Sequence, residues 1–150
     1  MSTHGPILVI KFGGNAMTSP ELFTFFAQDI TSLREQGFRV VISHGGGPQI
    51  SEMLSRLNIQ SEFVGGLRVT TAEIASVVAT VLSGEVQRTL VTALNTNKVP
   101  AVGVSGEDAK VFTSTRLVDQ EFDLGLVGTV ALINPKLIHV LLDNGYIPVV

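Results

Sequence analysis

At 150 residues with 45% hydrophobic content and a mean hydropathy of +0.40, the chain suits one domain, 1–150, with a substantial core. A formal charge of −3 without a basic cluster argues against nucleic acid as a partner, and the lack of cysteine removes disulfides, thiolate nucleophiles and thiolate metal sites. No uninterrupted apolar run reaches the roughly 18 residues of a membrane span, and the first residues lack a signal-peptide pattern, so no membrane partner and a cytoplasmic location are expected.

The apolar excess instead points to strands buried on both faces of a sheet. Ile7-Leu8-Val9-Ile10 is a short continuous apolar run that predicts a central parallel strand. It ends in Lys11-Phe12-Gly13-Gly14-Asn15. Ser19 as N-cap and Pro20 at the first helical position then predict a helix with Leu22, Phe26, Ile30 and Leu33 inward and Gly37 as its stop. A strand over 38–43 leads into Gly45-Gly46-Gly47, and Pro48 opens a short helix with Ile50, Met53, Leu54 and Leu57 on its apolar face. Strand, helix, strand with a glycine turn after each strand is the start of an open α/β sheet.

Residues 63–70 are extended and broken by Gly65-Gly66, which predicts a hairpin or lid-like loop. Thr70 or Thr71 caps a helix carrying Ile74, Val77, Val78, Val81 and Leu82. Gly84 interrupts it and Leu90, Val91 and Leu94 continue, for service in the core or at a subunit interface. A strand over 101–104 delivers Ser105-Gly106-Glu107-Asp108. Segments 111–117 and 126–130 predict strands around a polar turn at 119–123. Asn134-Pro135 opens the last helix, with Leu137, Ile138, Leu141 and Leu142 inward and Gly145 as its stop, and 146–150 is one more strand of buried type. Domains usually close on an exposed polar tail, so the chain reads as the front part of something longer. The expected fold class is α/β: a three-layer, open, mainly parallel sheet with helices on both faces.

In open parallel sheets ligands bind beyond the carboxyl ends of the strands, which puts Lys11 to Gly14, Gly45 to Gly47 and Ser105 to Asp108 on one rim. Three consecutive glycines exceed what a tight turn needs, and they bring free N–H groups to a helix N-terminus, where negative charge is favoured. Lys11, at the end of an apolar strand and followed by glycines, places a compact cation over a polyphosphate or else snorkels to the sheet edge. Neither the G-x-x-x-x-G-K-[ST] loop nor the dinucleotide fingerprint is present. Arg68, after Gly65-Gly66, is either a bidentate carboxylate clamp or a surface arginine. His44 either donates to a ligand or, beside so much glycine, orders its loop. Glu107-Asp108 either caps its loop or meets magnesium or a ligand amide. His4 and His139 lack companions at metal-ligand spacing, so no protein metal site is expected. A polyphosphate and a carboxylate held between glycine loops fit phosphoryl transfer, which needs mainly positioning and charge neutralisation.

Val9-Ile10-Lys11-Phe12-Gly13-Gly14-Asn15, Ile42-Ser43-His44-Gly45-Gly46-Gly47-Pro48-Gln49-Ile50 and Phe63-Val64-Gly65-Gly66-Leu67-Arg68-Val69-Thr70-Thr71 closely resemble the acetylglutamate kinase branch of the amino acid kinase family. Ser105-Gly106-Glu107-Asp108-Ala109, Asp123-Leu124-Gly125-Leu126-Val127-Gly128 and Gly145-Tyr146-Ile147-Pro148-Val149-Val150 continue the resemblance in order. It implies transfer of the ATP γ-phosphoryl group to the side-chain carboxylate of N-acetyl-L-glutamate, in arginine biosynthesis. By the same resemblance Lys11 neutralises the phosphoryl group in flight, and Gly13 and Gly14 admit the phosphates. Gly46 and Gly47 cradle the acyl amino acid, and Arg68 grips its α-carboxylate. In the family a second lysine, its organising aspartate and most of the site for ATP and Mg2+ lie beyond position 150. The expected unit is therefore an N-terminal, acetylglutamate-binding and dimerisation lobe that binds substrate without turnover. Only six residues precede Ile7, so a homodimer lacking the hexamer-forming helix of arginine-inhibited relatives is expected. Glu107 stands where some relatives carry lysine, which weakens any phosphate role for that loop. The rival readings are a sister kinase acting on aspartate, glutamate or aminoadipate, and a non-catalytic ligand-binding or dimerisation domain.

Overall fold

The computed structural model of the chain describes residues 5–13, 20–118 and 121–150. In chain order it begins with strand β1 (Ile7–Phe12), helix α1 (Pro20–Glu35), strand β2 (Arg39–His44), helix α2 (Gly47–Arg56) and the short hairpin β3 (Phe63–Val64) and β4 (Leu67–Arg68). A long helix follows as α3 (Ala72–Ala79), a π-helical segment over Thr80–Val86, and α4 (Gln87–Thr96). Then come β5 (Ala101–Gly103), β6 (Phe112–Arg116), β7 (Gly128–Ile133), α5 (Lys136–Asp143) and β8 (Ile147–Val149). Ser19 and Gly14 lie outside the described residues.

Strands β1, β2, β8 and β5 form one sheet in that order, parallel at every pairing. The chain steps from β1 to β2 through α1 and from β2 on to β5 through α4. It then reverses to insert β8 between β2 and β5. Crossovers between parallel strands are right-handed, so the reversal carries α5 to the face opposite α1 and α4. The three layers expected from sequence follow. On the first face Ala27 and Ile30 of α1 and Leu90 and Leu94 of α4 pack on Phe12, Val40, Ile42, Ile147 and Val149. A fully buried Leu or Ile contributes about 1.5–3 kcal/mol, so this seam dominates the fold. A second cluster joins α2 to the long helix through Ile50, Leu54, Ile74, Val81 and Val86.

Three sequence expectations change. β1 is an edge strand among the described residues, not a central one. Its alternation buries Phe12 and half-buries Leu8 and Ile10 on the α1 side, but leaves Val9 65% exposed. A continuous apolar run records only that both faces tolerate apolar residues, not that both are covered. Leu22 and Leu57 are exposed. Phe23 and Ala27 take the inward positions in α1, and Leu57 is the C-cap of α2 rather than part of its buried face. Finally, Gly84 does not interrupt the long helix. It lies within the π-helical segment, and the 25 residues Ala72–Thr96 run on as one helix. By length and composition that helix is apolar enough to cross a bilayer, yet Ile74, Val81, Val86, Leu90 and Leu94 pack inside the fold.

Other expectations hold. Gly37 and Gly145 end their helices with φ of +89° and +79°, the left-handed conformation that glycine adopts at a helix stop. Gly65 and Gly66, at φ +56° and +82°, make the two-residue turn between β3 and β4, and two positive φ angles are what a tight hairpin of this twist requires. β6 and β7 pair antiparallel as a separate ribbon.

Candidate active site at the strand ends

Backbone hydrogen bonds stitch the carboxyl ends of the four strands together. β1 and β2 run in register, Lys11 opposite Ser43 and Phe12 opposite His44. The Gly45 N–H donates to the Phe12 carbonyl at 3.2 Å, the His44 N–H to Val150 at 2.9 Å, and the Val104 N–H to Val149 at 2.8 Å. The loops after β2 and β5 leave this rim toward opposite faces, the arrangement that opens a ligand crevice in parallel sheets. Lys11 lies on this rim and is exposed, on the same face of β1 as Ile7 and Val9. Gly13, two residues on, is also exposed, with open space where a Cβ would be. Gly14 lies outside the described residues.

The triple glycine resolves into different roles. Gly46 has φ 179°, an extended backbone any residue adopts. It is glycine for volume: a Cβ there would lie 2.6 Å from Leu82 Cδ2 and 3.2 Å from Val86 Cγ2 of the π-helical segment. Gly47 opens α2, exposed, with nothing within 4 Å of its missing Cβ. No side chain caps this helix, and Pro48 has no N–H to satisfy, so the partial positive charge of the first turn faces outward. His44 Nδ1 lies 3.1 Å from the Gly45 carbonyl, a contact within its own loop.

Arg68 reaches the same helix from β4. Its Nη2 donates to Ser51 Oγ at 2.8 Å and its Nη1 to Ser61 Oγ at 2.5 Å. Ser51 lies four residues after Gly47, about 6 Å along the axis, so the guanidinium sits one turn from the uncapped end. No carboxylate pairs with Arg68 among the described residues. It lines a cleft of about 470 Å³ with Phe63, Ser55 and Asn58. The cleft runs along the C-terminal part of α2, so Arg68 presents its charge there, about one turn from the helix N-terminus.

The hairpin that presents Arg68 is anchored behind. Thr71 caps α3 by accepting from the Ile74 N–H at 3.2 Å. Thr70 donates to the Leu124 carbonyl at 3.1 Å and accepts from the Leu126 N–H at 2.7 Å. Gly125, at φ +68°, has no room for a Cβ, which would lie 2.2 Å from the Thr70 carbonyl oxygen. Asp123 accepts from the Gly125 N–H at 2.9 Å and from Arg116 at 2.6 Å. These hold its carboxyl below the usual aspartate value, the backbone bond contributing most.

Glu107-Asp108 takes the capping alternative: Asp108 accepts from the Ser105 N–H at 2.7 Å and hydroxyl at 3.1 Å. Among the described residues no group of His, Asp or Glu converges to hold a metal. Sequence reasoning passed over Gln87, the buried polar residue of the core. Its Nε2 donates to the carbonyls of Val104 and Val149, both at 3.0 Å, tying the ends of β5 and β8 to α4. Its position three residues before Leu90 places it on the apolar stripe, and that was the available signal. A further cleft of about 450 Å³ opens at the other end of the strands, where Arg34 and Arg39 are engaged by the Gly145 carbonyl and Asp143.

The carboxyl rim of the parallel sheet carries the exposed Lys11 and the start of α2, which no side chain caps, while Arg68 lies on the separate β3–β4 hairpin beside α2. The chain belongs to the amino acid kinase family, whose model matches residues 6–150. It is 55% identical to an acetylglutamate kinase of Nocardioides sp., covering 98% of this chain and 48% of that protein. It is 52% identical to one of Acidothermus cellulolyticus, over 98% and 51%. Among solved structures, smu.665 from Streptococcus mutans UA159 superposes with a TM-score of 0.83 at 28% identity, over 97% of this chain and 57% of that one. The chain spans about half the length of the curated relatives it matches.

Proposed function

We propose that the chain carries the substrate-binding part of an acetylglutamate kinase, which phosphorylates the side-chain carboxylate of N-acetyl-L-glutamate with ATP in arginine biosynthesis. The observation that carries this reading is Arg68, oriented by the uncharged Ser51 and Ser61 about one turn along α2 from its uncapped N-terminus. Relatives at 52–55% identity that bear that name support it. Arg68 takes the α-carboxylate bidentately, and the N–H groups around Gly46 and Gly47 hold the acyl amino acid. The side-chain carboxylate oxygen then attacks the γ-phosphorus, the bond to the ADP oxygen breaks, and the products are an acyl phosphate and ADP. Lys11 neutralises the equatorial oxygens of the group in transit, and Gly13 and Gly14 let the backbone approach the phosphates. Magnesium arrives on the nucleotide, and both are held mostly outside these 150 residues. The protein works in the cytoplasm as a homodimer.

Calorimetry tests the reading on the 150-residue chain. N-acetyl-L-glutamate binds in preference to aspartate, glutamate and aminoadipate, Arg68→Ala weakens that binding, and ATP is not turned over by the chain alone. Equal or absent binding of the four compounds refutes the assignment and favours a sister kinase or a pure dimerisation domain.

A further inference from the structure

The guanidinium of Arg68 is constrained from three directions by three separate segments. Ser51 belongs to α2, Ser61 to the connection after it, and Phe63 lies directly opposite Arg68 in the β3–β4 register. The two hydroxyls accept from Nη2 and Nη1, and the guanidinium carbon stands 4.5 Å from the centroid of the Phe63 ring. None of the three carries charge, so the cation is oriented without being neutralised. A guanidinium has five N–H donors. Two are used here, which leaves three for a ligand. Phe63 is 58% exposed, an unfavourable place for a phenyl ring unless the ring has a partner.

We propose that Ser51, Ser61 and Phe63 are positioning residues that hold Arg68 ready for the ligand's α-carboxylate, and so set the preference for ligands that carry one. The proposal rests on the acetylglutamate-binding reading. A free arginine loses its rotamer freedom when it binds; one already clamped has lost it on folding, and the binding step is relieved of that cost.

The test is calorimetry on the chain with N-acetyl-L-glutamate and with 4-acetamidobutyrate, which lacks only the α-carboxylate. Phe63→Leu weakens acetylglutamate binding by about 2–5-fold, the worth of an exposed cation–π contact, and Ser51→Ala with Ser61→Ala weakens it by about 2–10-fold. Phe63→Tyr and Ser61→Thr keep wild-type affinity. The losses disappear with 4-acetamidobutyrate, and they disappear for acetylglutamate in an Arg68→Ala background. Equal losses for both ligands, or losses that persist without Arg68, overturn the proposal. So does unchanged affinity in Phe63→Leu where Arg68→Ala still weakens binding; that result leaves the acetylglutamate reading standing. A wild-type chain that does not bind acetylglutamate overturns both.

Discussion

Gly46 and Gly47 are neighbours in one motif, yet the structure assigns them opposite responses to the same methyl group. In Gly46→Ala the new Cβ would lie 2.6 Å from Leu82 Cδ2 and 3.2 Å from Val86 Cγ2. Leu82 is only half-buried, and its terminal methyl can swing aside. Val86 is 3% exposed and β-branched, with one strongly preferred rotamer in a helix, so it moves only with its backbone. The backbone of Gly46 needs no left-handed angle, so no conformational strain adds to the clash. Overpacking of this kind costs about 1–2 kcal/mol. With a urea slope of about 2 kcal/mol per molar, the unfolding midpoint falls by about 0.5–1 M. Gly47→Ala meets open space, and a compatible glycine-to-alanine change stabilises by about 0.4–1 kcal/mol through the unfolded chain. Urea unfolding of both variants, followed by acetylglutamate calorimetry, separates the roles: Gly46→Ala loses stability first, and Gly47→Ala loses affinity while its midpoint rises by about 0.2–0.5 M. A Gly46→Ala midpoint no lower than that of Gly47→Ala would refute the packing argument.

Gln87→Leu keeps the volume but leaves the Val104 carbonyl without its side-chain donor. Urea unfolding then shows a loss of about 1–3 kcal/mol, the cost of a buried acceptor left unsatisfied, with faster amide exchange at Val104 and Val150. Thr71→Ala removes the α3 cap and costs about 0.5–2 kcal/mol by the same measurement. Asp123 has its folded pKa depressed, so its contribution is complete above the usual aspartate value and is lost as pH falls through the lower folded one. The protection of the Leu126 amide, measured against its intrinsic exchange at each pH, therefore holds at neutral pH and falls only in that acid range; Asp123→Asn removes that loss of protection, and a loss already near neutrality contradicts the assignment.

Much of this architecture was legible in local signals. Glycine stops at Gly37 and Gly145, the Gly65-Gly66 turn and the Thr71 cap are determined by backbone geometry within a few residues, and sequence displays such geometry directly. Which strand ends share a rim was also legible, because parallel sheets present all carboxyl ends together. The misplaced features depend on partners distant in sequence. The edge position of β1 follows from where β8 inserts, and Ile7-Leu8-Val9-Ile10 holds no information about that. The partners of Arg68 were equally hidden: Ser51, Ser61 and Phe63 converge only because β3 and β4 fold back over α2, and serines in loops carry no distinguishing pattern.

The long helix shows how a local irregularity becomes the frame of the site. Val81 and Leu90 are both fully buried, yet nine residues on an ideal α-helix place them about 180° apart. The periodicity therefore breaks near Gly84, which reads from sequence as an interruption. The chain instead keeps its helix and widens the turns over Thr80–Val86, which rotates the later stripe back toward the first. The apolar residues before and within the π segment then pack on α2 and those after it on the sheet. The same segment puts Leu82 and Val86 against Gly46, and it delivers Gln87 to the ends of β5 and β8. π-bulges concentrate at functional sites, and here the reason is geometric. Leu82 and Val86 seat the glycine turn and Gln87, the next residue, holds the strand ends, so the widened turns bring both tasks together on one stretch of helix.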